Sequence, residues 1–174
     1  NWGDTNTDTG LSRGNSSVTH TYPSAGTYSI EIGQAGDAGP PTKIAFGPTN
    51  GEVNNSSTPG NGAKAVTEIT QWGSIQWTDV VSMWCGCLNL DTMSATDTPD
   101  LSNVGGADGT KFMFGAMRLR DGFDAPSLST VNSSISNWDV SGVRNFSYTF
   151  NRCNSFNVNI NNWDIRGIDQ SSGL

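Results

Sequence analysis

The chain has 174 residues, a net charge of −7 and a charged fraction of only 14%. An acidic chain repels phosphate backbones and anionic lipid headgroups, which argues against nucleic acid and membrane surfaces as partners. No apolar run approaches the roughly 18 residues of a membrane-spanning helix, so membrane insertion is not expected. The acids are thirteen Asp and three Glu, and Asp is typical of turns, caps and calcium loops.

Residues 1–62 have the pattern of a small β-rich cap followed by Gly- and Pro-rich loops. The stretches 17–22 and 27–32 are rich in β-favouring residues, and the segment between them contains Pro and Gly. This arrangement predicts two strands joined by a turn. Residues 33–62 contain seven Gly and four Pro, which predicts loops.

The stretch 4–10 has the spacing D-x-N-x-D-x-G, which offers oxygen atoms at alternate positions, as a calcium loop does. The position that would carry the bidentate acid of such a loop is occupied by Asn15. A hairpin loop is therefore the favoured interpretation, and a calcium site is the alternative.

From residue 69 onward the chain repeats itself. Segment 160–168 matches segment 135–143 position by position, and every apolar position keeps its class. A further unit aligns with these when Leu101 is placed on Ile135. The predicted units start near these four residues: Ile69, Leu101, Ile135 and Ile160.

The units share apolar residues at positions 1, 4 and 6, and then at 9, 12 and 16. The first spacing is typical of the strand of a leucine-rich repeat, and the second of one or two helical turns. Because no unit can bury its apolar stripe alone, we expect the units to stack. The predicted fold class is an α/β solenoid: a short leucine-rich-repeat array of parallel strands and short helices over residues 63–174, with residues 1–62 as its N-terminal β cap.

The run I-S-N-W-D-V-S-G-V at 135–143 resembles the BspA-type leucine-rich repeat of bacterial surface proteins. Upstream, W-G-D at 2–4, T-H-T-Y at 19–22 and G-T-Y at 26–28 are similar to a partial PKD-like β module. The resemblance implies a secreted or cell-surface location and a role in adhesion or ligand binding. It implies no catalytic residues.

Asp139 and Asp164 occupy the same position in successive units. Neighbouring strands of a parallel sheet lie about 4.8 Å apart, so we expect these carboxylates to be close and to point away from the core. Bound Ca²⁺, or the charges of Arg144 and Arg166, would relieve their repulsion. The predicted ligand-binding residues form an exposed strip of six: Asn137, Asp139, Ser141, Asn162, Asp164 and Arg166. A solvated face without a ligand is the alternative interpretation.

Further Asp residues fall on stretches inserted between the units: Asp97, Asp100, Asp108, Asp121 and Asp124. Inserted loops often carry binding residues because the core does not constrain them. The predicted metal ligands are Asp139, Asp164, Asp108, Asp121 and Asp124, with Ca²⁺ as the one candidate cofactor. Turn formation by Asp-Gly pairs explains the loop residues without a metal.

Trp138 and Trp163 share one position of the repeat, which predicts that both are buried and stacked in the core rather than exposed to a sugar. Cys85 and Cys87 are too close to be bridged without strain. Cys153 is expected to lie two units from Cys87, so all three thiols are predicted to be free.

The sequence therefore predicts an extracellular binding or adhesion module of a larger surface protein, without catalysis. Expected partners are a surface protein, peptide or glycan of another cell, and an oligomer is compatible with the pattern. The alternative is a structural spacer or cap within a surface or fibre protein. An enzyme using Asp pairs is disfavoured because no motif places an acid in an apolar pocket. The chain opens on Asn1 without a signal-peptide pattern, which suggests a mature segment or a fragment.

Overall fold

The computed structural model describes these residues: 1–7, 20–33, 44, 46, 61–106, 109–111, 113–115 and 128–168. The chain divides into two compact units, Asn1–Pro41 and Thr42–Leu174. The predicted start of the repeats at residue 63 stays a prediction.

In the first unit, two stretches of chain are joined by a pair of backbone hydrogen bonds. The N–H of Glu31 donates to the carbonyl oxygen of Asn1 at 2.9 Å, and the amino terminus donates to the carbonyl oxygen of Glu31 at 3.1 Å. Residues 20–33 contain no regular strand, so the predicted strand at 27–32 is not formed as such. Residues 17–19 of its predicted partner lie outside the described part of the chain.

The second unit contains a small parallel sheet of three strands. The strands are β1 (Glu68–Ile69), β2 (Thr92–Met93) and β3 (Thr130–Val131), and they lie in that order. Ile69 pairs with Met93, and Met93 pairs with Val131. Ile69 and Met93 are both buried, so one face of the sheet covers the core.

Two short helices flank the sheet. Helix α1 (Asn61–Ala65) precedes β1 and buries Ala63. A 3₁₀ helix, Ser133–Asn137, follows β3 and buries Ile135. The side chain of Asn132 caps the 3₁₀ helix by accepting the N–H of Ser134 at 2.9 Å, so an Asn starts this helix, as residue preferences for capping predict.

The predicted α/β solenoid is wrong. The described residues hold only three two-residue strands, one five-residue α-helix and one 3₁₀ helix, and they form no leucine-rich-repeat solenoid. The stretches 77–84 and 143–150, which carry repeat positions 9–16, were predicted to form helical turns, but they contain no helix, and residues 81–84 and 147–150 form turns. Ser82, Tyr148 and Arg152 have φ angles of 57°, 60° and 69°, which a right-handed helix does not accept.

The register between the repeated segments also departs from the prediction in one place. Thr92 pairs with Thr130, whereas an alignment that places Leu101 on Ile135 would put Thr96 opposite Thr130. The paired residues of the second strand therefore begin earlier in the chain than the alignment requires. Apolar residues recur every three or four positions, so several shifts of the sequence against itself place apolar residues on apolar residues. The apolar spacing alone therefore does not identify the correct alignment.

The predicted pairing of segment 135–143 with segment 160–168 agrees with the contacts in the structure. We call 135–143 the inner segment and 160–168 the outer segment. The rings of Trp138 and Trp163 are stacked, with centroids 6.2 Å apart and an interplanar angle of 13°. A Cβ atom on Gly167 would lie 2.9 Å from the carbonyl oxygen of Ser141, so the two segments approach closely where the outer one has no side chain.

The core of the second unit is built from aromatic and aliphatic side chains contributed by successive segments. Trp72 and Trp138 pack edge to face with ring centroids 5.3 Å apart, and Trp138 is 5% exposed. Its burial and its stacking are confirmed. Trp163 stacks on Trp138 as predicted and packs against the same core, but it is only half-buried. The reason is its position in the outer segment, which no further segment of the described chain covers.

Candidate functional site

Three Asp side chains repeat one local structure on the exposed side of the second unit. Asp100, Asp139 and Asp164 each accept the backbone N–H of the residue two positions later, at 3.0, 3.1 and 3.2 Å. This is the Asx turn, in which the side chain replaces a backbone carbonyl. We call these three residues the Asp row. Each carboxylate is held by its own turn, so its direction is fixed by the backbone.

The side chain two positions later provides a second bond in each turn. Ser102 and Ser141 donate their hydroxyl groups to Asp100 and Asp139 at 2.5 and 2.7 Å. In the outer segment an Arg replaces the Ser. Arg166 forms a two-pronged pair with Asp164, with Nε to Oδ1 at 2.8 Å and Nη2 to Oδ2 at 2.6 Å. The row therefore changes from neutral hydroxyl donors to a cation at its outer end.

The carboxylates of Asp100 and Asp164 act electrostatically on Asp139, which lies between them in the row. Hydrogen bonds from the side chain and backbone of Ser141 lower the pKa of Asp139, while the negative charges of Asp164 and Asp100 oppose that shift. Hydrogen bonds from Ser102 lower the pKa of Asp100 in the same way. The Arg166 guanidinium lowers the pKa of Asp164 to about 2. All three groups are therefore ionised at neutral pH.

The predicted strip is accessible to solvent. Five of its residues are exposed: Asn137, Asp139, Ser141, Asn162 and Arg166. Asp164 is half-buried. The structure joins Asp139 to Ser141 and Asp164 to Arg166, whereas Asn137 and Asn162 make no side-chain hydrogen bond among the described residues. Asp100 belongs to the same row, but the sequence placed it on an inserted loop. The alignment that placed Leu101 on Ile135 did not match Asp100 with Asp139.

The predicted calcium ligands divide into two groups. Asp108, Asp121 and Asp124 lie outside the described residues. Within the described ranges, no group of three or more His, Cys, Asp or Glu side chains is arranged to hold a metal ion. Arg166 already neutralises Asp164, and Arg144 donates to the carbonyl oxygen of Gly167 at 3.4 Å instead of to a carboxylate. Binding of Ca²⁺ stays a prediction.

Other Asp side chains hold neighbouring segments together. Asp97 accepts the backbone N–H of Trp72 at 3.0 Å and that of Gly73 at 2.8 Å. Asp91 accepts the backbone N–H and the hydroxyl of Ser129 at 3.1 and 2.6 Å. The sequence placed Asp97 on a binding loop, but its carboxylate connects two segments that are distant in the chain.

In the first unit, Asp4 of the stretch 4–10, where a calcium site was the alternative to a hairpin loop, makes internal contacts. Asp4 accepts the backbone N–H of Asn6 at 3.1 Å and pairs with Nε2 of His20 at 2.8 Å. Burial opposes ionisation of Asp4, but the hydrogen bonds from His20 and Asn6 outweigh it, and the pKa is lowered. Trp2 stacks on His20 with centroids 4.8 Å apart. Asp8 of the same loop lies outside the described residues.

A family described as "Mycoplasma protein of unknown function, DUF285" matches residues 116–174. The match covers about a third of the chain, and it includes the inner and outer segments. No curated protein and no solved structure matches the chain. In the part of the chain that the structure describes, no helix is long and apolar enough to cross a membrane.

Proposed function

We propose that the chain is a non-catalytic binding module of a secreted or cell-surface protein, and that its ligand contacts the Asp row and the exposed strip. The ligand class is a surface protein, a peptide or a glycan of another cell. The observation that carries the proposal is the fixed geometry of three Asx turns, in which Asp139 is exposed and Asp100 and Asp164 are half-buried. A row of oriented carboxylates and hydroxyl groups can accept hydrogen bonds from amides, ammonium groups or sugar hydroxyls.

Preorganisation distinguishes this face from an ordinary solvated surface. A ligand that contacts flexible side chains pays for their ordering, by about 0.5–1.5 kcal/mol for each long side chain. Asp139 and Ser141 are already ordered by the bond between them at 2.7 Å, although both are exposed. The Arg166–Asp164 pair adds a planar donor at the outer end of the row. Such a surface supports a binding role over a spacer, which needs no fixed polar groups.

One sequence relationship supports the location: the inner segment resembles the BspA-type repeat of bacterial surface proteins. The acidic charge of −7 fits a partner that is neutral or basic. A structural spacer within a surface protein is the second candidate function, favoured by the small number of long side chains on the strip.

Array binding followed by a matched pair of variants tests the proposal. The chain is applied to glycan and peptide arrays, and each hit is measured again with Asp139→Asn and Asn154→Asp. Asp139 lies in the Asp row, whereas Asn154 is an exposed turn residue outside it. We expect Asp139→Asn to weaken binding about tenfold, which is the loss of one charged hydrogen bond, and Asn154→Asp to leave it unchanged. Equal affinities for the two variants would show that the ligand does not contact Asp139, and no hit at all would favour the spacer.

A further inference from the structure

The inner and outer segments have the same apolar positions but different burial. Three aliphatic side chains of the inner segment are at most 1% exposed: Ile135, Val140 and Val143. Their counterparts in the outer segment are Ile160 and Ile168, both half-buried, and Ile165, which is 52% exposed. Ile165 is one of the few large apolar side chains that the described chain leaves exposed.

The inner segment is buried because the outer segment covers it in a specific way. Trp163 stacks on Trp138, and its Nε1 donates to the carbonyl oxygen of Ile135 at 2.7 Å. Gly167 lies against the carbonyl oxygen of Ser141, where a Cβ atom would be only 2.9 Å away. The outer segment therefore contacts the inner one through a Trp, an aliphatic residue and a Gly at fixed spacing. This contact is more specific than the burial of apolar area alone.

We propose that the apolar face of the outer segment, formed by Ile160, Trp163 and Ile165, binds a peptide segment that carries the same pattern, I-x-x-W-x-(V/I)-x-G-(V/I). The partner's Trp stacks on Trp163, as Trp163 stacks on Trp138. Its indole N–H donates to the carbonyl oxygen of Ile160, the counterpart of Ile135. Its Gly lies against the carbonyl oxygen of Arg166, the counterpart of Ser141.

The structure favours such a segment over a second copy of the whole chain. At the opposite end of the sheet, Ile69 and Trp72 are 4% and 5% exposed, so that end has no apolar face left to pair with the outer segment. A second copy could use only its own outer segment, in a contact related by a two-fold axis. A two-fold contact joins the same surface of both copies, whereas the outer segment covers the inner one through a different surface, so such a contact does not reproduce this arrangement.

Fluorescence anisotropy with a labelled peptide tests the proposed surface. The probe is a fluorescein-labelled peptide with the sequence of residues 156–168, and the control is a peptide of the same composition in scrambled order. We expect saturable binding of the ordered peptide and at least tenfold weaker binding of the scrambled one. A peptide with Ala in place of its Trp loses the stacking and the hydrogen bond to Ile160, so it should also bind at least tenfold more weakly.

Two variants of the protein locate the site. Ile165→Asp places a charge on the proposed face, and Asn161→Asp adds the same charge at an exposed neighbour. We expect a tenfold or greater loss of affinity for Ile165→Asp and none for Asn161→Asp. Near-ultraviolet circular dichroism verifies that both variants keep the Trp138–Trp163 stack. A competition experiment needs no variant: the unlabelled ordered peptide should displace the labelled probe from the unsubstituted protein.

Three results would overturn the proposal. One is the absence of binding up to about 1 mM peptide, the weak end of measurable affinities. Another is equal binding of the ordered and scrambled peptides. The third is a dimer in sedimentation velocity that the ordered peptide does not dissociate, since the face would then belong to a second copy. The proposed contacts use the side chains of Ile160, Trp163 and Ile165 and none of the carboxylates of the Asp row, so a failure of array binding leaves this test unaffected.

Discussion

The indole Nε1 of Trp163 donates a hydrogen bond to the carbonyl oxygen of Ile135 at 2.7 Å. The Nε1 of Trp138, in the equivalent position one segment earlier, is buried and has no hydrogen-bond partner in the described structure. The two rings therefore have different roles although they are stacked on each other. Trp138 contributes buried apolar area, and Trp163 connects the outer segment to the inner one through both its ring and its N–H group.

This difference predicts unequal losses of stability for the two Trp residues. Trp138→Ala should lower the free energy of unfolding by about 3–5 kcal/mol, through lost burial and the cavity that remains. Trp163→Ala should cost about half as much because its ring is only half-buried. Urea denaturation of each variant measures both values. Trp163→Phe is the control: it keeps a stacked ring and should cost about 1 kcal/mol for the lost hydrogen bond. Equal losses for the two Ala variants would contradict the assignment.

A second prediction concerns two glycines that differ in their surroundings. A Cβ atom on Gly115 would lie 1.9 Å from the carbonyl oxygen of Tyr148, whereas a Cβ atom on Gly106 would meet nothing within 4 Å. Gly115→Ala forces the two stretches of backbone apart and should cost about 1–3 kcal/mol. Gly106→Ala is the matched control and should change stability by less than about 1 kcal/mol. Thermal unfolding of the pair decides the matter, and a Gly115→Ala variant as stable as the parent would show that the close approach is absent.

The three cysteines provide a third prediction. Cys85, Cys87 and Cys153 are free and buried, as the sequence predicted. Burial raises the thiol pKa of Cys85 to about 11 and those of Cys87 and Cys153 to about 12, with the neighbouring Cys85 adding to the shift at Cys87. Because only the thiolate reacts, the native protein should react negligibly with a disulfide reagent at pH 8. Titration in denaturant should then return three thiols. Rapid reaction of the native protein would show that at least one thiol is accessible.

The sequence was most informative where the repeat is regular. The identity of apolar positions between the inner and outer segments predicted the pairing of Trp138 with Trp163. The abundance of Asp indicated turns in general, and Asp139 forms one of them. Both features depend on interactions within one segment or between adjacent segments. The local sequence pattern is therefore enough to predict them.

The fold class was not predictable in the same way. An apolar spacing of three or four residues suits a helix, but it also suits a series of turns that places the same side chains in the core. Here Ser82 and Tyr148 adopt positive φ, so the turns replace the helices. The role of Asp97 could not be predicted either, because its acceptor bonds to Trp72 and Gly73 depend on which segments lie side by side.

The last prediction is the pH response of the Asp row. Arg166 lowers the pKa of Asp164 from 3.8 to about 2, so the folded state binds its proton more weakly than the unfolded chain does. The stabilising contribution of the pair is therefore fully present above the ordinary pKa of 3.8, and it is lost as the pH falls through about 2. A carbon-13 titration of the Asp164 carboxyl group should give a midpoint near 2 in the native protein.

Two variants separate the causes within the row. Arg166→Gln removes the guanidinium and should move the Asp164 midpoint upward toward 3.8, while the lowered pKa of Asp139 persists because Ser141 maintains it. Ser141→Ala should have the converse effect, raising the pKa of Asp139 and leaving Asp164 near 2. If Arg166→Gln left the Asp164 midpoint unchanged, the pair with Asp164 would not hold the carboxylate in solution, and the outer end of the row would lack the fixed donor that the proposed binding surface requires.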